Sequence, residues 1–145
     1  MRILNLTQHV ATPEQVEAGV VDLSPEERKE LSSLLTFTAV PSTKDLQDRA
    51  YCVCKTFLKQ RAWVYGPPSG WLGGKYDAVL LGGAPFFMEN LADCCRRWGY
   101  KTLFAFSRRE SVEEVQKDGS VRKVAVFRHL GFVEVGDPDP PLPTW

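Results

Sequence analysis

Three polar segments of the sequence carry the residue types that do chemistry in small proteins. Each one directly follows a stretch whose pattern predicts a β-strand. The segments are Asn5-Leu6-Thr7-Gln8-His9, Gly82-Gly83-Ala84-Pro85-Phe86 and Ser107-Arg108-Arg109-Glu110-Ser111. Ligands of open parallel sheets bind beyond the carboxyl ends of the strands. We therefore expect the three segments to meet in one crevice.

The chemistry expected in that crevice is acid–base catalysis beside a bound phosphate. His9 has the residue type of a general acid or base near neutral pH. Arg108 and Arg109 have guanidinium groups that clamp phosphate oxygens in pairs, and we predict that both face the crevice. The alternatives remain open that His9 is structural and that Glu110 neutralises one arginine.

The other predicted ligand-binding residues surround these three. Side chains of Asn5, Thr7 and Gln8 suit a ribose or a base edge, and Ser107 and Glu110 complete the third segment. Two further candidates, Arg128 and His129, close a later strand and are expected to reach the same crevice.

The glycine segment has a backbone role in this hypothesis. Gly82 and Gly83 let a ligand approach the main chain, and the helix expected after Ala84 would offer free amide groups to an anion that also contacts Phe86. The alternative is a tight strand-to-helix turn. Neither Gly-x-Gly-x-x-Gly nor a P-loop is present, which disfavours standard dinucleotide and NTP-hydrolysing sites. No residues show metal-ligand spacing, so no metal and no cofactor is expected.

Composition narrows the class of protein. The formal net charge is zero, with 18 basic and 18 acidic residues, which disfavours binding to duplex nucleic acid. No apolar run is long enough to span a membrane, and the first residues lack a signal peptide, so a cytoplasmic location is expected. The four cysteines lack Cys-x-x-Cys spacing, and buried free thiols on helices are expected.

The pattern of elements predicts an α/β, Rossmann-like fold with a mostly parallel sheet flanked by helices and a C-terminal β-hairpin. Residues 1–136 form one domain and residues 137–145 a proline-rich extended tail. Strands are expected at residues 2–7, 35–40, 77–81, 102–106 and 131–135. Helices are expected after Thr12, Ser24, Ser42 and Ala84. Asp118-Gly119 predicts a hairpin between residues 111–116 and 121–127, with a helix over 107–116 as the alternative.

The quoted segments, with Thr12-Pro13-Glu14-Gln15 and the stretch from Phe106 to His129, resemble a family of short uncharacterised bacterial and phage proteins. The opening is also similar to the Asn-x-Ser/Thr-x-His…Thr-Pro-Glu-Gln start of small CRISPR-associated Rossmann-like proteins, relatives of cyclic-oligonucleotide sensors and ring nucleases. This second resemblance implies that Asn5, Thr7 and His9 line a pocket for an oligonucleotide. It also implies a metal-independent reaction in which a ribose 2′-hydroxyl attacks the next phosphate.

Three functions therefore remain open. The first is a nucleotide-binding domain that acts as a metal-independent phosphodiesterase on a signalling nucleotide. The second is a nucleotide sponge or sensor without turnover. The third is a phage or host accessory protein that makes protein contacts through its Trp63–Trp71 loop. A symmetric cyclic ligand would favour a homodimer that closes a pocket on a two-fold axis.

Overall fold

The structure is a computed structural model that describes residues 1–61 and 75–138. Its elements, in chain order, are β1 (Ile3–Leu6), α1 (Pro13–Glu17), β2 (Val20–Val21), α2 (Pro25–Leu35), α3 (Thr43–Phe57), β3 (Ala78–Leu81), α4 (Pro85–Arg97), β4 (Lys101–Val115) and β5 (Val121–Glu134). The predicted Trp63–Trp71 loop and most of the predicted tail lie outside the described residues.

The described strands form one five-stranded sheet in the order β2-β1-β3-β4-β5. β1 pairs in parallel with β2 and β3, and β3 pairs in parallel with β4. β5 is antiparallel to β4, and their pairing runs from Leu103↔Glu134 to Val115↔Val121, much further than any parallel pairing. The α/β class with flanking helices is confirmed, but the sheet is mixed, so the prediction of a mostly parallel sheet is wrong.

Local sequence signals set the beginnings of the first three helices. Thr12, Ser24 and Ser42 each accept a hydrogen bond from the backbone N–H three residues later, and a side chain at that position returns the bond. These are capping boxes, which satisfy N–H groups that the first helical turn leaves unpaired. The predicted helix starts at these positions are confirmed.

The core lies mainly on one face of the sheet. Alternation along the strands puts Leu4 and Leu6 of β1 and Val79 and Leu81 of β3 on that face, where they pack with buried residues of α2, α3 and α4. A smaller cluster on the other face contains Ile3, Val20, Ala78, Leu80 and Leu103. Because both faces are buried, β3 is a continuous apolar run, and β1 is apolar except for the buried Asn5.

The hairpin is the most extended feature of the fold. β4 continues past the end of β3, and together with β5 it forms a two-stranded projection over residues 107–129, which we call the arm. A register shift between Phe106 and Ser107 marks its base. Its turn contains Gly119 at φ +85°, a conformation that glycine adopts without strain.

Several predictions of elements need correction. Residues 107–115 are strand, so the alternative prediction of a helix over 107–116 is wrong, and the strands predicted at 102–106 and 111–116 belong to one continuous β4 that ends at Val115. Residues 36–40 contain no strand, although threonine and valine favour one, because Phe37 packs against the rings of Phe86 and Phe87 instead. The second strand is the two-residue β2, which pairs with β1. Of the four thiols, Cys54 and Cys95 are buried, but Cys52 is exposed.

Candidate functional site

A cavity of about 630 Å³ opens at the carboxyl ends of β1 and β3, beside Phe104 and Ala105 of β4. It is lined by residues 7–10, 12, 15, 80–84, 104 and 105. Its volume falls within the range of small-molecule sites. The chain leaves β1 toward β2 on one side and returns to β3 on the other, so the cavity lies where the direction of strand order reverses, the usual ligand position in open α/β sheets.

Asn5 shapes one wall of this cavity without lining it. Its side chain is only 4% exposed. Its amide nitrogen donates to the carbonyl of His9 at 2.7 Å and to the Oδ1 of Asp22 at 2.8 Å. Its amide oxygen accepts from the backbone N–H of Thr7 at 3.0 Å and from the Thr7 hydroxyl at 2.7 Å. Both donors and both acceptor positions are thus occupied, and Asn5 holds the loop without lining the cavity.

Asp22 is the residue that sequence reasoning missed. Its carboxylate accepts the Asn5 amide and also the backbone N–H of Ala11, at 3.1 and 3.3 Å from its two oxygens. The register Leu4↔Val21 puts Asp22 beside Asn5 on the neighbouring strand. The only sequence signal was a carboxylate directly after the valine pair of β2. This signal does not predict a contact with Asn5 until β1 and β2 are known to be neighbours.

His9 is exposed and lines the cavity, together with Thr7 and Gln8. The loop that presents it is held in place by the backbone of His9, whose N–H donates to the Thr7 hydroxyl and whose carbonyl accepts from the Asn5 amide. Among the lining residues in the described part of the chain, His9 is the sole titratable side chain. This position suits a group that exchanges protons with a ligand in the cavity.

The glycine segment forms the opposite wall. A β-carbon built on Gly82 would lie 3.2 Å from Cγ2 of Thr7, closer than an ordinary van der Waals contact. Gly82 therefore lets the β1 and β3 loops approach each other. Ala84 is the N-cap residue of α4 and has no capping side chain among the described residues, in contrast to the other three helices. Because Gly82, Gly83 and Ala84 line the cavity, the beginning of α4 faces it with its positive dipole end.

The third predicted segment does not join the other two. Phe104 and Ala105 line the cavity, but β4 then continues into the arm, and residues 107–110 are not among the lining residues. The expectation that Arg108 and Arg109 face one crevice is wrong because neighbouring residues of a strand point to opposite faces. Arg108 lies opposite Arg128 and Arg109 lies opposite Phe127.

The remaining candidates also lie outside the cavity. Glu110 is 3.2 Å from the guanidinium of Arg128 and 3.9 Å from that of Arg108, so it bridges the two basic groups on one face of the arm. His129 packs against the ring of Phe132 with centroids 4.8 Å apart. Ser107 pairs with His129 on the other face of the arm.

Phe86 is directed away from the cavity as well. Its ring packs edge-on against Phe37 at 5.1 Å, in a separate shallow depression. The structure therefore brings together residues 7–9 and 82–84 of the predicted site and separates Phe86 and residues 107–110, 128 and 129 from it.

Within residues 1–61 and 75–138, no group of three or more histidine, cysteine, aspartate or glutamate side chains is arranged to hold a metal ion. None of the helices in this part of the chain has both the length and the apolar character of a membrane span.

The fold and the cavity define a mixed-sheet α/β protein with a strand-end site. The chain belongs to the uncharacterized protein MJ1673 family, whose model matches residues 1–133. No curated protein and no solved structure matches it. Membership of an uncharacterised family confirms that part of the resemblance drawn from the sequence, whereas its bacterial, phage and CRISPR-associated parts stay predictions; the family description names no activity.

Proposed function

We propose that the strand-end cavity binds a nucleotide or another small phosphate-bearing ligand, with cyclic oligonucleotides included in that class. The observation that carries this proposal is the position of the cavity between the His9 loop and the uncapped beginning of α4. Free backbone amides at a helix start bind phosphate oxygens well. Pro85 has no N–H and the N–H of Phe87 already donates to the Ala84 carbonyl at 2.9 Å, so the proposal relies on the N–H of Phe86 and on those of the Gly83-Ala84 turn. A Rossmann-like relationship is part of the same proposal.

The lining of the cavity fits the two halves of a nucleotide. Val10, which is exposed, and Phe104, which is half-buried, offer apolar surface for a base, whereas Gln8, Thr12 and Gln15 carry groups that hydrogen-bond. Part of that polar capacity is already in use, because the Gln15 side chain accepts from the backbone N–H of Thr12 at 3.0 Å. Gln8 is exposed and is the better contact for a base edge or ribose.

The catalytic form of the proposal assigns one proton transfer to His9. The ribose 2′-hydroxyl attacks the adjacent phosphorus, its O–P bond forms as the bond to the 5′-oxygen breaks, and the products are a 2′,3′-cyclic phosphate and a 5′-hydroxyl. His9 takes the proton of the attacking hydroxyl or supplies the one that the leaving oxygen needs. The start of α4 stabilises the charge that develops on the phosphate.

A sensor or sponge without turnover is the second candidate. It is favoured by the fact that the described lining residues include a single titratable side chain and no arginine. In-line displacement at phosphorus is faster with a partner acid and a cationic clamp, which this lining does not contain.

Substitution of the two histidines of the chain distinguishes the enzyme from the sensor. Purified protein is mixed with mononucleotides, dinucleotides and cyclic oligonucleotides, and binding and products are followed by thermal shift and chromatography. His9→Ala should abolish product formation and leave binding within a few fold, while His129→Ala, on the arm, serves as the matched control. Binding without product in the wild type identifies the sensor, and no binding to any member of the panel overturns the proposal.

A further inference from the structure

One edge of the arm has no strand beside it. β4 pairs with β3 only as far as Phe104, whereas its pairing with β5 continues to Val115. Beyond Phe104, the edge of β4 that faces away from β5 has no partner strand within residues 1–61 and 75–138. Such an edge presents a row of unpaired N–H and C=O groups that pair readily with another chain.

The arm also lacks a core of its own. Val115 is 72% exposed and Phe127 is 75% exposed, and Val112 and Val126 are at least one-third exposed on the other face. A two-stranded hairpin by itself is marginally stable in water, and added strands stabilise it. Both the backbone edge and the apolar side chains therefore favour a further strand.

The order of charges along β4 specifies what that strand is. Residues 108–114 read Arg-Arg-Glu-Ser-Val-Glu-Glu, with two arginines on one side of Ser111 and two glutamates at the same distances on the other. If this segment runs antiparallel to a copy of itself about Ser111, Arg108 lies opposite Glu114 and Arg109 lies opposite Glu113. Opposite charges directly across an antiparallel pair stabilise it.

We propose that the free edge of β4 pairs with the same edge of a second copy of the chain, antiparallel and centred on Ser111. The result is a two-fold symmetric dimer with a four-stranded sheet, β5-β4-β4-β5, formed by the two arms. This interface rests on the arm alone and does not depend on the proposed ligand.

Neighbouring registers are less favourable, which makes the pairing specific. Centring on Val112 places Glu110 opposite Glu114 twice, and centring on Glu110 places that glutamate opposite itself. Parallel pairing in register would align every charge with its own kind. Like charges directly opposite each other destabilise a sheet, so the charge order selects the register about Ser111.

The contacts within one chain agree with this register. Glu110 is already engaged with Arg128 at 3.2 Å and would lie opposite the uncharged Val112. Glu113 and Glu114 lie opposite Lys123 and Arg122 of β5. In the dimer each of these two glutamates lies between a basic residue of its own β5 and an arginine of the second copy.

The proposed interface and the strand-end cavity lie on the same side of β4. The free edge is on the same side of β4 as β3, and the cavity opens at the carboxyl end of β3. The second arm therefore runs along the side of the sheet where the cavity opens.

Charge reversal in solution tests the dimer. The mass of the full-length chain is measured by light scattering and sedimentation over a range of concentrations. Arg108→Glu/Arg109→Glu and, separately, Glu113→Arg/Glu114→Arg should each weaken dimerisation by about a hundredfold, because four attractive pairs become repulsive. Lys55→Glu/Lys59→Glu, on exposed residues of α3 and its C-terminal flank, makes the same change in net charge as the arginine reversal and should leave the dimer intact.

Recombining the variants keeps the test decisive even if one pair folds poorly. An equimolar mixture of the two charge-reversed proteins should form a heterodimer, and a single chain with all four substitutions should dimerise again. Its dimer should be weaker than that of the wild type, because the arginines introduced at positions 113 and 114 lie opposite Lys123 and Arg122 of their own β5. A monomeric wild type, a dimer that survives either reversal, or a failure of both recombinations to restore it would each overturn the proposed interface.

Discussion

Replacing the amide nitrogen of the buried Asn5 side chain with oxygen should destabilise the protein strongly. Asn5→Asp keeps the shape of the side chain but replaces a nitrogen that donates to the His9 carbonyl at 2.7 Å and to Asp22 at 2.8 Å. Two hydrogen bonds disappear, one of them to a charged acceptor, and a second carboxylate faces Asp22. We expect the free energy of unfolding to fall by about 3 kcal/mol.

Combining this change with Asp22→Asn reverses donor and acceptor. The amide introduced at position 22 then donates to the carboxylate at position 5, while its oxygen still accepts from the backbone N–H of Ala11. The bond to the His9 carbonyl stays lost, so we expect the double variant to recover about half of the loss.

The assay is urea unfolding at neutral pH, followed by circular dichroism. Asn90→Asp, at a half-buried position of α4, is the matched control and should change stability by about 0.5 kcal/mol or less. A loss below about 1 kcal/mol for Asn5→Asp, or no recovery in the double variant, would refute the role of this network in holding the loop.

Two further predictions concern buried titratable groups. Burial raises the pKa of Tyr100 to about 12, so its contribution to stability is complete below pH 10 and is lost as the pH rises from 10 to 12. Tyr100→Phe should flatten this alkaline decline in unfolding measurements, whereas Tyr51→Phe, at an exposed position, should leave it unchanged. The neighbouring Cys54 thiol, together with burial, raises the pKa of half-buried Cys94, so a thiol reagent at pH 8 should label exposed Cys52 first. Equal labelling rates for Cys52 and Cys94 by mass spectrometry would contradict this.

The sequence predicted the elements that local chemistry determines. Helix starts at Thr12, Ser24 and Ser42 follow from capping residues within one turn, and the hairpin turn follows from Asp118-Gly119. In the structure the Asp118 carboxylate accepts from the backbone N–H and the hydroxyl of Ser120, which is the local bonding that such turns use.

The parts that depend on neighbouring strands were not predictable. From the sequence alone Asn5 looked free to bind a ligand. In the structure its hydrogen-bonding groups are all used, and one of the bonds goes to Asp22, seventeen positions away along the chain, a partner that could not be foreseen from the sequence. β4 looked interrupted after Phe106 because its arm buries neither face and so lacks the apolar alternation that marks a strand. Once β4 is continuous, the separation of Arg108 from Arg109 follows from strand geometry alone.

The central claim is that the strand ends bind a phosphate-bearing ligand. Filling the cavity with a large side chain tests this claim most directly. Ala105 is exposed and lines the cavity, whereas Ala125 is exposed on the arm, so Ala105→Trp and Ala125→Trp form a matched pair. For the nucleotide that binds the wild type, at 100 times its dissociation constant, the expected stabilisation is about 2.7 kcal/mol. We predict that Ala125→Trp keeps this stabilisation and that Ala105→Trp loses it. Equal stabilisation of both variants, or none of the wild type by any nucleotide, would contradict the account.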